Sequence, residues 1–329
     1  MLSVNLWLPF LVAPLFFIAS WALVYFIAPE SKGSGIPQVM AAIEIIERDP
    51  QPVRAEKLLG LKIAVVKILS SLLLLAGGGA IGREGPTLHI SASIFYYASR
   101  RFESFKKYVS LETWVMTGAA AGLAAAFNTP LGGLVYAIEE LATQHLKKFK
   151  SSLITAVIIA GFSSQMISGP YLYLGYPKIA PVTLGTLPFI IAISIVCGIA
   201  GVAFGRLIIK IANLKATHLR SVKSLALFAG ACGLLTAVVA VFVDHRFMGS
   251  GKELIQNMLF AGEAAGWHVP ILRFFAPVLT YAAGGAGGIF APSLAIGGSI
   301  GSYVASMAEV PNANLFTLLG MIAFLTGVT

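Results

Sequence analysis

The chain has 329 residues, of which 57% are apolar and only 11% charged, and its mean hydropathy is +0.85. A soluble domain carries about 25% charged residues, so these values exclude an ordinary soluble enzyme or binding module and indicate a polytopic membrane protein. The formal charge of +9 does not call for a nucleic-acid partner. The basic residues Arg100, Arg101, Lys106, Lys107, Lys147, Lys148 and Lys150, with those at 206–223, lie in short linkers between apolar stretches, where cytoplasmic loops of membrane proteins collect Lys and Arg.

In chain order, Met1 is followed by no basic n-region and no small-residue cleavage site, and no signal peptide is expected. Residues 5–28 are apolar enough for a span of about 20 residues, and they run into Gly33-Ser34-Gly35-Ile36-Pro37. Residues 36–46 are apolar but too short to cross, as are 130–141; such short helices occur where broken helices meet around a cavity. A second span at 58–76 leads into "GGGAIGREGPTLHI", residues 77–90, which sets Arg83 and Glu84 among glycines. Glu139 and Glu140 follow the apolar run 134–138. Further spans or near-spans are expected at 151–168, 184–211, 224–243 and 271–283, the last running into Gly288-Ile289-Phe290-Ala291-Pro292. Cys197 and Cys232 sit inside apolar segments without metal-type spacing and read as core residues.

The chain contains an internal repeat. "GGAIGREGPTLHI" (78–90) aligns without gaps on "GGAGGIFAPSLAI" (284–296), and "LVYFIAPESKGSG" (23–35) aligns in the same order on "VAVFVDHRFMGSG" (239–251). Paired segments interrupted by Gly or Pro in the two halves of a membrane protein point to the binding site of an inverted-repeat transporter. The halves are expected at 1–169 and 184–329, together one transmembrane domain. Residues 130–168 have no partner before Thr329, and the counterpart of 184–211 would precede Met1. The first half is therefore expected to lack its first helix and the second its last helices.

A helix that starts inside a membrane presents unpaired N–H groups and about half a positive charge at its N-terminus, which makes it an anion site. Three stretches are expected to open helices in this way: Gly33 to Pro37; Gly82, Arg83, Glu84, Gly85 and Pro86; and Gly288, Ile289, Phe290, Ala291 and Pro292. Glycine permits close approach of backbone, and proline fits the first turn. Ser34 adds a hydroxyl donor that brings no competing charge. Glu84 reads either as a carboxylate capping a helix dipole or as a tethered anion that occupies the site when ionised and leaves when protonated, which is a gate and a proton carrier. An ionisable group at membrane depth favours the functional reading. Glu139 and Glu140 point about 100° apart on a helix, so they either mark a membrane boundary or put one carboxylate on a pathway. His89, five residues after Glu84, has no metal spacing and reads as a core histidine or one facing another helix; no metal and no cofactor is expected.

Gly-Ser-Gly-Ile-Pro, Gly-Arg-Glu-Gly-Pro and Gly-Ile-Phe-Ala-Pro, in this order and with "GLAAAFNTPLGG" between them, resemble the three anion-pathway signatures of the CLC family of chloride channels and proton-coupled chloride antiporters. The resemblance implies an all-α membrane fold of two inverted halves with broken and re-entrant helices, in a homodimer with one pathway per subunit. It implies that Ser34 coordinates chloride, that the amides of Ile289 and Phe290 face the same ion, and that Glu84 is the gating glutamate. It implies that Glu140 is the internal proton acceptor found in antiporters, which favours chloride/proton exchange over a passive chloride channel of the same family. Chloride and protons are the expected partners, with the lipid bilayer, and the serine at position 34 resembles that of chloride-selective members. The family's C-terminal tyrosine at the central site has no counterpart before Thr329. An intramembrane hydrolase using Glu84 or His89 is the reading from another class, and it lacks a nucleophile–base pair or a metal spacing.

Overall fold

The computed structural model describes residues 7–48, 53–102, 109–136, 139, 151–169, 174–179, 181–308 and 312–329. Among them the regular structure is helical, with two isolated β-bridges between loops. The helices are α1 (Leu8–Ala22), α2 (Ile36–Arg48), α3 (Val53–Leu59), α4 (Leu61–Ala76), α5 (Glu84–Arg101), α6 (Leu111–Phe127), α7 (Pro130–Tyr136) and α8 (Ser151–Ser168). The series continues with α9 (Leu187–His218), α10 (Val222–Phe242), α11 (Lys252–Gln256), α12 (His268–Ala283), α13 (Phe290–Met307) and α14 (Ala313–Val328).

Four helical stretches are long and apolar enough to cross a bilayer: Leu8–Ile27, Val53–Ala76, Leu184–His218 and Val222–Phe242. They fall on four of the expected spans. The stretch expected at 271–283 forms α12, which at 16 residues is not among the four. The second span is broken at Gly60, whose extended backbone (ψ 150) ends α3 and starts α4. At 32 residues α9 is about 48 Å long, more than the roughly 30 Å of hydrocarbon, so it tilts or projects.

Local chemistry sets the ends of several helices. Ser110 and Ser221 accept the backbone N–H groups of Thr113 and Ser224 at the starts of α6 and α10. Asn128 closes α6 in the left-handed conformation (φ 56). Between helices, packing rests on small residues, as expected where lipid gives no hydrophobic drive to association. A methyl group built on Gly118 of α6 would lie 2.6 Å from the Cβ of Phe95 on α5, and Gly297 of α13 backs directly onto the Gly320 carbonyl of α14. Apolar clusters join α2, α3, α5 and α6 on one side of the molecule and α9, α12, α13 and α14 on the other.

Between these clusters the glycine loops are tied to one another through their backbones. Gly82 N–H donates to Gly288 O at 2.7 Å and Gly288 N–H returns the bond to Gly82 O at 2.8 Å. These two glycines occupy equivalent positions in the aligned repeats. Gly33 N–H donates to Gly285 O and Gly287 N–H to Gly33 O, both at 3.0 Å. Side-chain hydroxyls hold the flanks: Ala286 N–H donates to Ser70 Oγ (2.9 Å) and Ala80 N–H to Thr280 Oγ1 (3.0 Å). Six of the nine described glycines at positive φ also fall in aligned pairs, Gly33 with Gly249, Gly35 with Gly251, and Gly78 with Gly284.

Candidate functional site

The three Gly-Pro stretches open helices: α2 begins at Ile36, α5 at Glu84 and α13 at Phe290. The chain reaches those starts in tight turns, with Gly33 at φ 66 and Gly35 at φ 96, a region that residues with a Cβ adopt at a cost. The ends then meet. A cavity of about 520 Å³ is lined by Gly33, Ser34, Ile36, Pro37, Gly85, Gly288, Ile289 and Phe290, with Lys32, Gln38, Tyr281 and the end of α14. Among the described residues that line it, Lys32 is the one charged side chain, and the amides of helix N-termini add partial positive charge. The arrangement can hold a small desolvated anion.

The expected residues other than Glu140 have definite places. Ser34 Oγ accepts Ile36 N–H at 3.3 Å, so its own proton remains available to a ligand. Gly85 lies against Ser34: a methyl there would sit 2.6 Å from the serine hydroxyl oxygen, so only glycine lets α5 approach this closely. Arg83 precedes α5, and its guanidinium donates to the Ala126 carbonyl at 3.3 Å, pointing to α6. Glu84 is buried, 1% exposed, in the first turn of α5. Its carboxylate packs against Gly82, where a methyl group would collide with it and with Ala291. Glu84, Gly82 and Ala291 thus adjoin the loops that line the cavity. Glu139 is exposed. Glu140 lies outside the described residues.

Sequence reasoning missed Lys67 and Tyr281 at this site, and Arg273 at the aligned Gly-Ser-Gly turn. Lys67, fully buried on α4, donates its ammonium to Gly33 O at 3.0 Å. In the extended repeat alignment it stands opposite Arg273, also fully buried, which donates to Gly249 O at 3.1 Å. Each Gly-Ser-Gly turn therefore has its first carbonyl held by a buried cation. The signal, a lysine and an arginine at matching places inside apolar stretches, was present in the sequence. His89 packs against Gly35; its Nε2 pairs with Leu58 O at 2.7 Å, and its Nδ1 has no partner among the described residues. It is a core histidine facing another helix. Tyr281 of α12 reaches the cavity beside the Gly33–Ser34 turn, where a methyl built on Gly33 would lie 3.6 Å from its hydroxyl oxygen.

Residues 15–329 match the family model described as voltage gated chloride channel. Among curated relatives, the H(+)/Cl(-) exchange transporter ClcA of Salmonella paratyphi A is 30% identical over 328 residues, covering 96% of this chain and 67% of the relative. ClcA of Citrobacter koseri is 30% identical over 335 residues, covering 98% and 68%. Among solved structures, a slow cyanobacterial Cl-/H+ antiporter superposes with a TM-score of 0.80 at 22% identity, over 99% of this chain and 79% of that one. A CLC-type fluoride/proton antiporter superposes with a TM-score of 0.65 at 21% identity, over 97% and 86%. At these identities the structural likeness speaks for the fold, an all-α multi-pass membrane architecture. The family match over nearly the whole chain, together with relatives at 30% identity, shows that the protein belongs to the voltage gated chloride channel family.

Proposed function

We propose that this protein exchanges chloride for protons across a membrane, with Glu84 as the gate. The observation that carries the reading is the convergence of three helix starts on one cavity whose described lining has no acidic side chain, with a buried carboxylate at the start of one of them. The exchange activity named for the ClcA relatives supports antiport over passive conduction. In this reading the Ser34 hydroxyl and the amides of Ile289 and Phe290 replace the water that chloride loses on entry. Ionised Glu84 competes with chloride for the same donors, since both are anions. Protonation removes that competition, so the carboxyl swings away and carries its proton with it. Glu140, by resemblance to antiporters of the family, passes protons on the other side.

Two features of assembly belong to the same proposal. The halves 1–169 and 184–329 are related as an inverted repeat, a reading supported by the reciprocal Gly82–Gly288 pair and by the matched roles of Lys67 and Arg273. The working unit is a homodimer with one pathway per subunit, as the family resemblance implies.

Glu84→Gln tests the gate. A glutamine mimics the protonated side chain but carries no proton, so chloride flux in reconstituted liposomes is expected to continue, nearly flat across pH, while coupled proton movement disappears. Uphill proton transport by Glu84→Gln would remove Glu84 from this role.

A further inference from the structure

We propose that Tyr281 is a second hydroxyl donor to the transported anion and sets the site's preference for chloride. This rests on the reading of the cavity as the chloride site. Of the side chains lining the cavity, Ser34, Tyr281 and Thr329 carry hydroxyls, and most of the others are glycine or apolar. The Tyr281 hydroxyl stands beside the Gly33–Ser34 turn: it lines the same cavity as Ser34, and a methyl built on Gly33 would lie 3.6 Å from its oxygen. The phenol therefore stands next to the serine hydroxyl that the functional reading already assigns to chloride.

The position of the ring is rigid because α12 is clamped on both sides of it. The preceding residue, Thr280, takes Ala80 N–H on its hydroxyl at 3.0 Å and donates to Ala276 O at 3.0 Å. The two residues that follow, Ala282 and Ala283, have their carbonyls held by the Lys215 ammonium at 2.7 and 2.8 Å. A donor whose carrier cannot shift selects by distance, as sites built on supported elements do. A phenol is also intrinsically more acidic than an aliphatic alcohol, so its O–H is the stronger of the two donors offered to a halide. Without it, the rim at this point presents an aromatic edge, which suits large, weakly hydrated anions better than chloride.

The test is Tyr281→Phe in the full chain, purified and compared with the wild type for chloride binding by calorimetry and for flux of chloride against thiocyanate and nitrate. Losing one hydrogen bond to a charged ligand is expected to weaken chloride binding about tenfold or more. The preference for chloride over thiocyanate is expected to fall with it, a change that a purely structural role for the ring would not produce. Replacing Tyr281 by a fluorinated tyrosine, whose phenol is more acidic, is expected to tighten chloride binding, and this arm keeps the proposal testable if Tyr281→Phe folds poorly. Unchanged chloride affinity and selectivity in Tyr281→Phe, or no tightening with the fluorinated residue, overturns the assignment of Tyr281 while leaving the cavity reading intact. A wild-type protein that binds no chloride overturns both.

Discussion

At the scale of single residues, the site depends on two glycines whose backbone and space no other residue supplies. Gly35 sits at φ 96, and a methyl group there would lie 2.6 Å from the His89 Cβ, with the ring still nearer. Gly35→Ala combines a left-handed strain of about 1–3 kcal/mol with a clash against a buried side chain. It is expected to lower the melting temperature in detergent and to weaken chloride binding, because Ser34 is the adjoining residue; a variant with wild-type stability and affinity would mean that the turn relaxes freely. Gly85 is constrained from the other side by Ser34 itself. The Gly-Pro turns were readable in the sequence because their chemistry is local. Tyr281 was not, because it is one polar residue in an apolar run, and Lys67 showed only through its match with Arg273 in the repeat, its partner Gly33 being 34 residues away.

At the scale of elements, helices approach through small residues, and loops are clamped by charge. The close pair Gly297 of α13 and Gly320 of α14 leaves no room for a side chain on either. Gly320→Leu is expected to separate the two helices, displace the start of α13 at Phe290 and cost several kcal/mol by overpacking, measured as loss of monodisperse protein or a lower midpoint of thermal unfolding. Outside the four spanning stretches, Asp244 follows α10 and accepts hydrogen bonds from Arg246 N–H and Nε at 2.8 to 3.0 Å and from His268 Nε2 at 3.2 Å. Burial pushes its carboxyl up, but the hydrogen bonds and charge of Arg246 outweigh this and bring its pKa from 3.8 to about 2. The folded value is depressed, so the stabilisation is complete above pH 3.8 and is lost as pH falls through about 2. Asp244→Asn is expected to be less stable than wild type at neutral pH, with a shallower decline in acid; equal acid profiles would show that the clamp contributes nothing. Helix existence was legible in the apolar runs, since four expected spans appear as helices of sufficient length. The break at Gly60 was not, because a single glycine inside an apolar pattern does not announce a kink.

At the scale of the whole molecule, the repeat is the feature from which the site follows. It sets equivalent loops face to face at Gly82 and Gly288, so that the helix starts that follow them meet at one place and their partial positive charges add. This was legible as a pattern of glycines and prolines repeated in order, but the direct backbone pairing of the two loops was not, because register between distant loops is decided by packing. The proposed proton route runs through Glu140, which lies outside the described residues. Coupling is therefore the claim to test: wild-type protein in liposomes loaded with high chloride, under a clamped membrane potential, with external pH recorded on dilution into low chloride. Chloride efflux is expected to drive protons inward against a proton gradient, at a fixed ratio and with alkalinisation of the outside, whereas chloride efflux with no uphill proton movement would contradict the account and mark the protein as a passive channel.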